Sequence, residues 1–189
     1  NGKGHPVNSF HFYQQAYDVN NYPILNTFID RKEDGNITWQ DQYFVGTADP
    51  KIIIGISSDL CYKNWGFSFS GRLHYGNSVL NTENFFSNYR ELWGSNVSAS
   101  IIKSRMDGPD YYSDYFVEKA SFFRMDYMSL GYSFNIRTLS KVQFNASATV
   151  LNAFVITKYG GQDPEVVGGI PDFEYPRART LSLKISADF

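Results

Sequence analysis

Residues 30–41 have the residue types and the spacing of a calcium-binding loop. Such a loop takes oxygen ligands from positions 1, 3, 5, 7, 9 and 12 and requires glycine at position 6. Gly35 stands at position 6, and five of the ligand positions hold Asp30, Asp34, Asn36, Thr38 and Asp41. Position 3 is the cation Lys32, and Asp41 is shorter than the bidentate glutamate usual at position 12. We therefore expect a metal-free turn and no cofactor, with calcium binding as the alternative.

Aromatic side chains in the segment 76–121 are candidates for ligand contact. A flat apolar ring with a polar tip suits both the face of a sugar and the surface of a protein partner. The candidates for binding substrate or partner are Trp93, Tyr111, Tyr112 and Tyr115. The alternative is that these rings cover one another or anchor the chain at a membrane interface.

The remaining reactive side chains do not predict an enzyme. Asp163 and Glu165 lie two residues apart around Pro164, and nothing in such a turn fixes the separation that a glycosidase needs. The 3 histidines are scattered without ligand spacing, and the single cysteine, Cys61, cannot form an internal disulfide. We expect no catalytic residues.

The composition points to β-structure. Of 189 residues, 17% are aromatic and 15 are glycine, which suits strands joined by tight turns. The net charge of -2, with no lysine or arginine cluster, makes a nucleic-acid surface improbable. No apolar run is long enough for a membrane-spanning helix.

Alternation of apolar and polar residues predicts six strands. They cover residues 10–17, 52–62, 65–75, 122–134, 141–151 and 181–189. In the segment 122–134 the apolar set changes parity, which predicts a bulge near Asp126 and Tyr127. Three of these strands, at 65–75, 141–151 and 181–189, have one apolar and one polar face.

Long and short connections alternate between these strands. The connections cover residues 18–51, 63–64, 76–121, 135–140 and 152–178. Outer-membrane barrels show this alternation because their periplasmic turns are short and their extracellular loops long. Eleven-residue strands rise ~36 Å, and a ~45° tilt reduces this to ~25 Å, the height of a barrel's apolar band. Six strands are too few to close a membrane barrel, so we expect further strands before Asn1 or on another polypeptide.

Several motifs resemble the C-terminal third of the SusC/RagA-type TonB-dependent outer-membrane transporters. In chain order they are YKNWGFSFS (62–70), SDYFVEKASFFRM (113–125), LGYSF (130–134), DPEV (163–166) and YPRART (175–180), followed by Phe189. They span nearly the whole chain.

The resemblance implies that residues 1–189 are an incomplete domain, about six C-terminal strands of a 22-stranded antiparallel transmembrane β-barrel with long extracellular loops. It implies import of oligosaccharides or peptides across the outer membrane of a Gram-negative, Bacteroidota-like cell. The implied partners are the rest of the barrel and its plug, a SusD-like lipoprotein, the TonB complex, outer-membrane lipid and, through Phe189, the barrel assembly machinery.

Two water-soluble folds are the alternatives. A secreted β-sandwich that binds carbohydrate would bury its apolar strand faces in its own core. A jelly-roll glycosidase would require two carboxylates that face each other across a cleft.

Overall fold

The computed structural model describes residues 4–82, 113–136, 142–171 and 175–188. Its strands are β1 (Ser9–Phe12), β2 (Gln15–Tyr17), β3 (Pro23–Phe28), β4 (Tyr43–Thr47), β5 (Ile52–Tyr62), β6 (Trp65–Tyr75), β7 (Ser78–Leu80), β8 (Val117–Lys119), β9 (Phe122–Asn135), β10 (Gln143–Thr157) and β11 (Thr180–Asp188). Short 3₁₀ helices cover Trp39–Asp41, Asp114–Phe116 and Val167–Gly169. In the described part of the chain, no helix has the length and apolar character needed to cross a membrane.

The long strands form one antiparallel sheet of 5 strands in the order β11-β10-β9-β6-β5. We call this sheet the strand wall. It belongs to a compact unit made of Ile52–Tyr75, Phe122–Thr157 and Tyr175–Phe189. Strands β5 and β6 form a tight hairpin, because Tyr62 pairs with Trp65 and Lys63 adopts a positive φ of 53° between them.

The strand wall has two chemically distinct faces. Directly paired residues of neighbouring strands lie on the same face, so the register gives complete rows across the sheet. One row is apolar: Leu60, Phe67, Leu130, Ala148 and Leu183. The row beside it is polar: Asp59, Ser68, Ser129, Thr149 and Ser182. These rows define the apolar face and the polar face.

The apolar face is open. Leu183 is 80% exposed and Leu60 is 56% exposed, although a sandwich would bury both against a second sheet. Exposed rows of leucine, isoleucine and phenylalanine are what a lipid-facing barrel surface presents. Within the described residues, the sheet therefore lacks the core that the β-sandwich alternative requires.

The predicted bulge is confirmed. Ser70 pairs with Tyr127, whereas the adjacent Gly71 pairs with Met125, so Asp126 is an extra residue in β9. The extra residue reverses which face the following side chains of β9 occupy, at the point where the apolar residues of its sequence change parity. The apolar side chains on both sides of the bulge therefore lie on one face. Gly71 is required here, because an added Cβ would lie 2.8 Å from the carbonyl oxygen of Arg124.

A second compact unit contains Asn1–Lys51, Gly76–Ser121 and Lys158–Glu174, and we call it the loop unit. Three two-stranded antiparallel sheets, β1-β4, β2-β3 and β7-β8, form its framework. Its small core contains Val79, Ala120 and Tyr159, with Val166 packed against them. The segments predicted as separate long connections therefore fold together.

The prediction of a wall strand at residues 10–17 is wrong. The segment is divided into β1, which pairs with β4, and β2, which pairs with β3, and both lie in the loop unit. Phe10, Gln15 and Ala16 are all buried, so burial does not follow the one-sided pattern of a wall strand. The strand wall contains the other five predicted strands, with β10 extended to Thr157.

The two faces should respond differently to charge. We expect Leu183→Lys to destabilise the assembled barrel by about 2–4 kcal/mol, because it places an ammonium group in hydrocarbon. Ser182→Lys is the matched change at the preceding residue. It should lower the stability much less, because Ser182 lies on the polar face. Urea unfolding measures the stability of both variants, with the folded fraction read from the heat-modifiable band on gels. Equal losses would contradict the assigned faces.

Candidate functional site

Tyr115 lies in the 3₁₀ helix Asp114–Phe116 of the loop unit. The hydroxyl of Ser113 caps this helix by accepting a hydrogen bond from the Tyr115 backbone N–H (3.1 Å). Tyr115 is half-buried and packs edge-to-face on Phe116, with the ring centres 5.0 Å apart. The other three aromatic candidates, Trp93, Tyr111 and Tyr112, lie outside the described residues.

Gln15 joins the first and second segments of the loop unit. Its side chain is 2% exposed, and its amide oxygen accepts a hydrogen bond from the Ser113 hydroxyl (2.6 Å). Its backbone N–H donates to the Asp114 carboxylate (2.9 Å), while its amide nitrogen donates to the carbonyl of Ile24 (2.7 Å). A buried side chain with all these partners fixes the position of the helix that carries Tyr115.

A cluster of Tyr17, Tyr43, Asp114 and Tyr115 forms around this junction, and we call it the Tyr–Asp cluster. The Tyr43 hydroxyl donates a 2.5 Å hydrogen bond to Asp114. Burial, this hydrogen bond and the negative charge of Asp114 raise the pKa of Tyr43 to about 12. Burial and the charge of Asp114 also raise the pKa of Tyr17. The phenols of Tyr17 and Tyr43 are therefore neutral hydrogen-bonding groups at physiological pH.

The Tyr–Asp cluster contains both hydrogen-bonding groups, which can recognise a polar ligand, and aromatic ring faces, on which a ligand can stack. Tyr17 is 47% exposed, so its ring is available to a ligand. The guanidinium carbon of Arg31 lies 4.5 Å above the Tyr43 ring, and Arg31 also donates to the side chain of Gln14 (2.9 Å). Sequence analysis missed Tyr17 and Tyr43 because they reach Asp114 only through folding, with 71 residues separating Tyr43 from Asp114.

The loop at residues 30–41 is closed by its own backbone. Asp30 accepts hydrogen bonds from the N–H groups of Lys32, Glu33 and Gly35, at 3.1, 2.8 and 2.7 Å. Asp34 accepts from the N–H of Asn36 (3.0 Å). The carboxylates that would bind calcium are therefore occupied by backbone donors.

Asp41 closes the other end of the loop. It is buried, and it accepts hydrogen bonds from the N–H of Thr38 (2.8 Å) and from the N–H groups of Arg31 and Lys32 (3.2 Å each). The bond from Thr38 N–H is the largest of the effects that lower the pKa of Asp41, and burial opposes them. Among the described residues, no group of three or more histidine, cysteine or acidic side chains is arranged to hold a metal ion. The metal-free turn stays a prediction, with calcium binding as its alternative.

Asp163 and Glu165 form a turn. The Asp163 carboxylate accepts a hydrogen bond from the Glu165 backbone N–H (2.9 Å), which is the geometry of an Asx turn. This explains the motif without catalysis.

The polar face of the strand wall carries hydrogen bonds between neighbouring strands. Ser129 and Thr149 share one at 2.9 Å, and Ser133 donates to Asn145 at 2.6 Å. Asn145 in turn donates to Asp188 at 2.8 Å. Short polar side chains on this face therefore link neighbouring strands through hydrogen bonds.

The comparisons with known proteins agree with this two-faced sheet. No family model matches the chain. Over 98% of its length, however, the chain is 41% identical to the TonB-dependent receptor SusC of Bacteroides thetaiotaomicron. In sequence the chain is a segment of a SusC-like TonB-dependent receptor. A TonB-dependent receptor of Formosa agariphila is 24% identical over 93% of the chain.

Solved structures show that the SusC-like chain shares the fold of the RagAB peptide transporter. The match has a TM-score of 0.70 at 16% identity and covers 95% of this chain and 22% of that one. The RagAB peptide importer in its closed-closed state gives a TM-score of 0.71 at 17% identity. The strand wall is thus a segment of antiparallel barrel wall.

The chain spans 20% of the length of SusC. The number of strands in the complete barrel and the position of this segment within it stay predictions. Phe189 lies outside the described residues, so its role as an assembly signal also stays a prediction.

Asp41 should make the loop at 30–41 sensitive to acid. Because its pKa in the folded loop lies below the ordinary 3.8, its contribution to stability is present above pH 3.8 and is lost as the pH falls through the folded pKa. Hydrogen exchange of this segment, corrected for intrinsic rates, should therefore accelerate below pH 3.8. Asp41→Asn should accelerate it roughly tenfold at neutral pH.

Asp34→Asn is the matched control, because Asp34 is exposed and accepts only the Asn36 N–H among the hydrogen bonds described above. Equal acceleration in the two variants would contradict the assignment of Asp41 as the closing residue.

Proposed function

We propose that this chain forms part of the wall and of the extracellular loops of an outer-membrane nutrient importer that is powered through TonB. The observation that carries the proposal is the two-faced strand wall in a chain 41% identical to SusC. Its cargo is an oligosaccharide or a peptide, and a SusD-like lipoprotein is its partner at the outer surface. The plug and the TonB-contacting segment are supplied by other parts of the receptor.

The strand wall supports a passive role in transport. Its apolar face contacts lipid, while its polar face presents hydroxyl and amide groups to a water-filled interior. The lengths of the four connections between wall strands agree with this orientation, because the short connections 63–64 and 136–142 alternate with the long connections 76–121 and 158–179. Named relatives are receptors and transporters, and no enzymatic step is included in the proposal.

The Tyr–Asp cluster is the proposed contact site for cargo or for the lipoprotein. Tyr17 and Tyr115 supply ring faces, and Asp114 and the phenol groups supply hydrogen-bonding positions. RagAB is described as a peptide importer, whereas sugar rings also stack on tyrosine, so both cargo classes need testing.

Tyr17→Ala and Tyr115→Ala in the full-length receptor should each weaken binding about tenfold, because an aromatic anchor at an interface contributes on the order of 1–2 kcal/mol. Tyr62→Ala is the control, since Tyr62 is an exposed tyrosine beside the short turn of the wall. Fluorescein-labelled neutral oligosaccharides and a labelled peptide digest serve as cargo probes, each tested with and without the lipoprotein.

Probe binding and co-purification of the lipoprotein are the two readouts. If the variants lose only probe binding, the cluster contacts cargo. If they lose only co-purification of the lipoprotein, the cluster contacts the partner. If neither changes, the cluster has no binding role. Uptake that persists without TonB would contradict the importer proposal as a whole.

We also propose that the loop at residues 30–41 folds without metal. Its acidic oxygens already accept backbone N–H groups, so an ion would have to displace them. Hydrogen exchange of this segment in millimolar calcium should equal that in EGTA. Marked protection by calcium, absent in Asp30→Asn, would establish the alternative.

A further inference from the structure

Asn152 occupies an irregular position in the strand wall. The pairing of β10 with β9 shifts between Leu151, which pairs with Tyr127, and Phe154, which pairs with Met125. Within this bulge Asn152 has a φ of 51°, in the left-handed region that asparagine tolerates better than most residues. The bulge turns the carboxamide of Asn152 away from the regular strand pattern.

The Asn152 side chain connects three consecutive strands. Its oxygen accepts a hydrogen bond from Arg124 Nη1 in β9 (3.0 Å). Its nitrogen donates to the carbonyl oxygens of Arg177 (2.9 Å) and Ala178 (3.5 Å), just before β11 begins. One carboxamide therefore holds β9 on one side and the start of β11 on the other.

The backbone ladder does not continue to this point. Regular pairing between β10 and β11 ends with Leu151 and Thr180, and residues 175–180 are all exposed. The approach to β11 is thus held at residues 177–178 by a side chain, beyond the end of the ladder. Hydrogen bonds from one side chain can break without disturbing the paired strands below them.

Charge explains why an amide suits this position. Arg72 and Arg124 are direct cross-strand neighbours, a pairing that is unfavourable for like charges. Arg72 forms an ion pair with the bulged Asp126 (3.0 Å), and Arg124 hydrogen-bonds to Asn152. Aspartate at position 152 would keep the acceptor for Arg124, but it would lose the donors and repel the two carbonyls.

We propose that Asn152 is a latch for residues 175–179, which form a strap that can detach from the sheet while the β10–β11 ladder stays intact. Arg124 orients the latch through the amide oxygen. The strap carries Arg177 and Arg179, so release changes how these two exposed basic residues are presented. The proposal rests on the proposed extracellular position of the connection before β11, and it is independent of the cargo.

Trypsin on intact cells that express the full-length receptor tests the latch. Cleavage after Arg177 or Arg179 reports release of the strap, and mass spectrometry identifies fragments that start at Ala178 or Thr180. Asn152→Gly keeps the left-handed backbone but removes the carboxamide. It should accelerate cleavage at these two sites about tenfold, as expected from the loss of one or two hydrogen bonds. Asn152→Asp should accelerate cleavage similarly, and Arg124→Gln should do so to a smaller extent.

Asn145→Gly is the matched control, because Asn145 lies in the same strand and also bridges its neighbours, through Ser133 and Asp188. It should leave cleavage after Arg177 and Arg179 unchanged. Wild-type cleavage rates in Asn152→Gly would overturn the proposal, as would equal acceleration by Asn145→Gly. Loss of the heat-modifiable folded band in Asn152→Gly would overturn it too, because the ladder should stand without the carboxamide.

Discussion

Strict alternation of side chains across five hydrogen-bonded strands is the constraint on which the structure depends. Within hydrocarbon every backbone polar group must be paired, so a strand cannot leave the sheet to correct a misplaced side chain. A one-residue slip would move every apolar side chain to the polar face. The bulge at Asp126 meets this constraint, since it adds one residue where the sequence changes parity.

The two compact units use side chains in different ways. In the strand wall most apolar residues are exposed, and the backbone ladder provides cohesion. The loop unit has short strands and a small core, so buried polar groups such as Gln15 and Asp41 hold its segments together. Removing one partner from such a network leaves others unsatisfied, which is why single polar residues matter more there.

The wall could be predicted from sequence because its information is local. Alternation located five strands and the bulge, although it ended β10 at Leu151, since residues 151–156 are apolar at both parities except for Asn152. The segment 10–17 was misassigned because alternation cannot show what a strand pairs with. The hydrogen bond between Ser113 and Gln15 joins residues 98 apart, and no local pattern signals it. The aromatic character of the segment 76–121 made Tyr115 a candidate, whereas Tyr17 and Tyr43 needed the fold.

The polar rows have a geometric consequence for the interior of the proposed barrel. Glycine has no side-chain heavy atom, serine has two and threonine has three, so the wall is thin where these residues line it. Gly66 and Gly131, which pair directly, leave bare peptide at one level of the polar face. In the proposed barrel, an interior surfaced in this way would give clearance to a bulky solute and keep hydrogen-bonding groups within reach of its hydration shell.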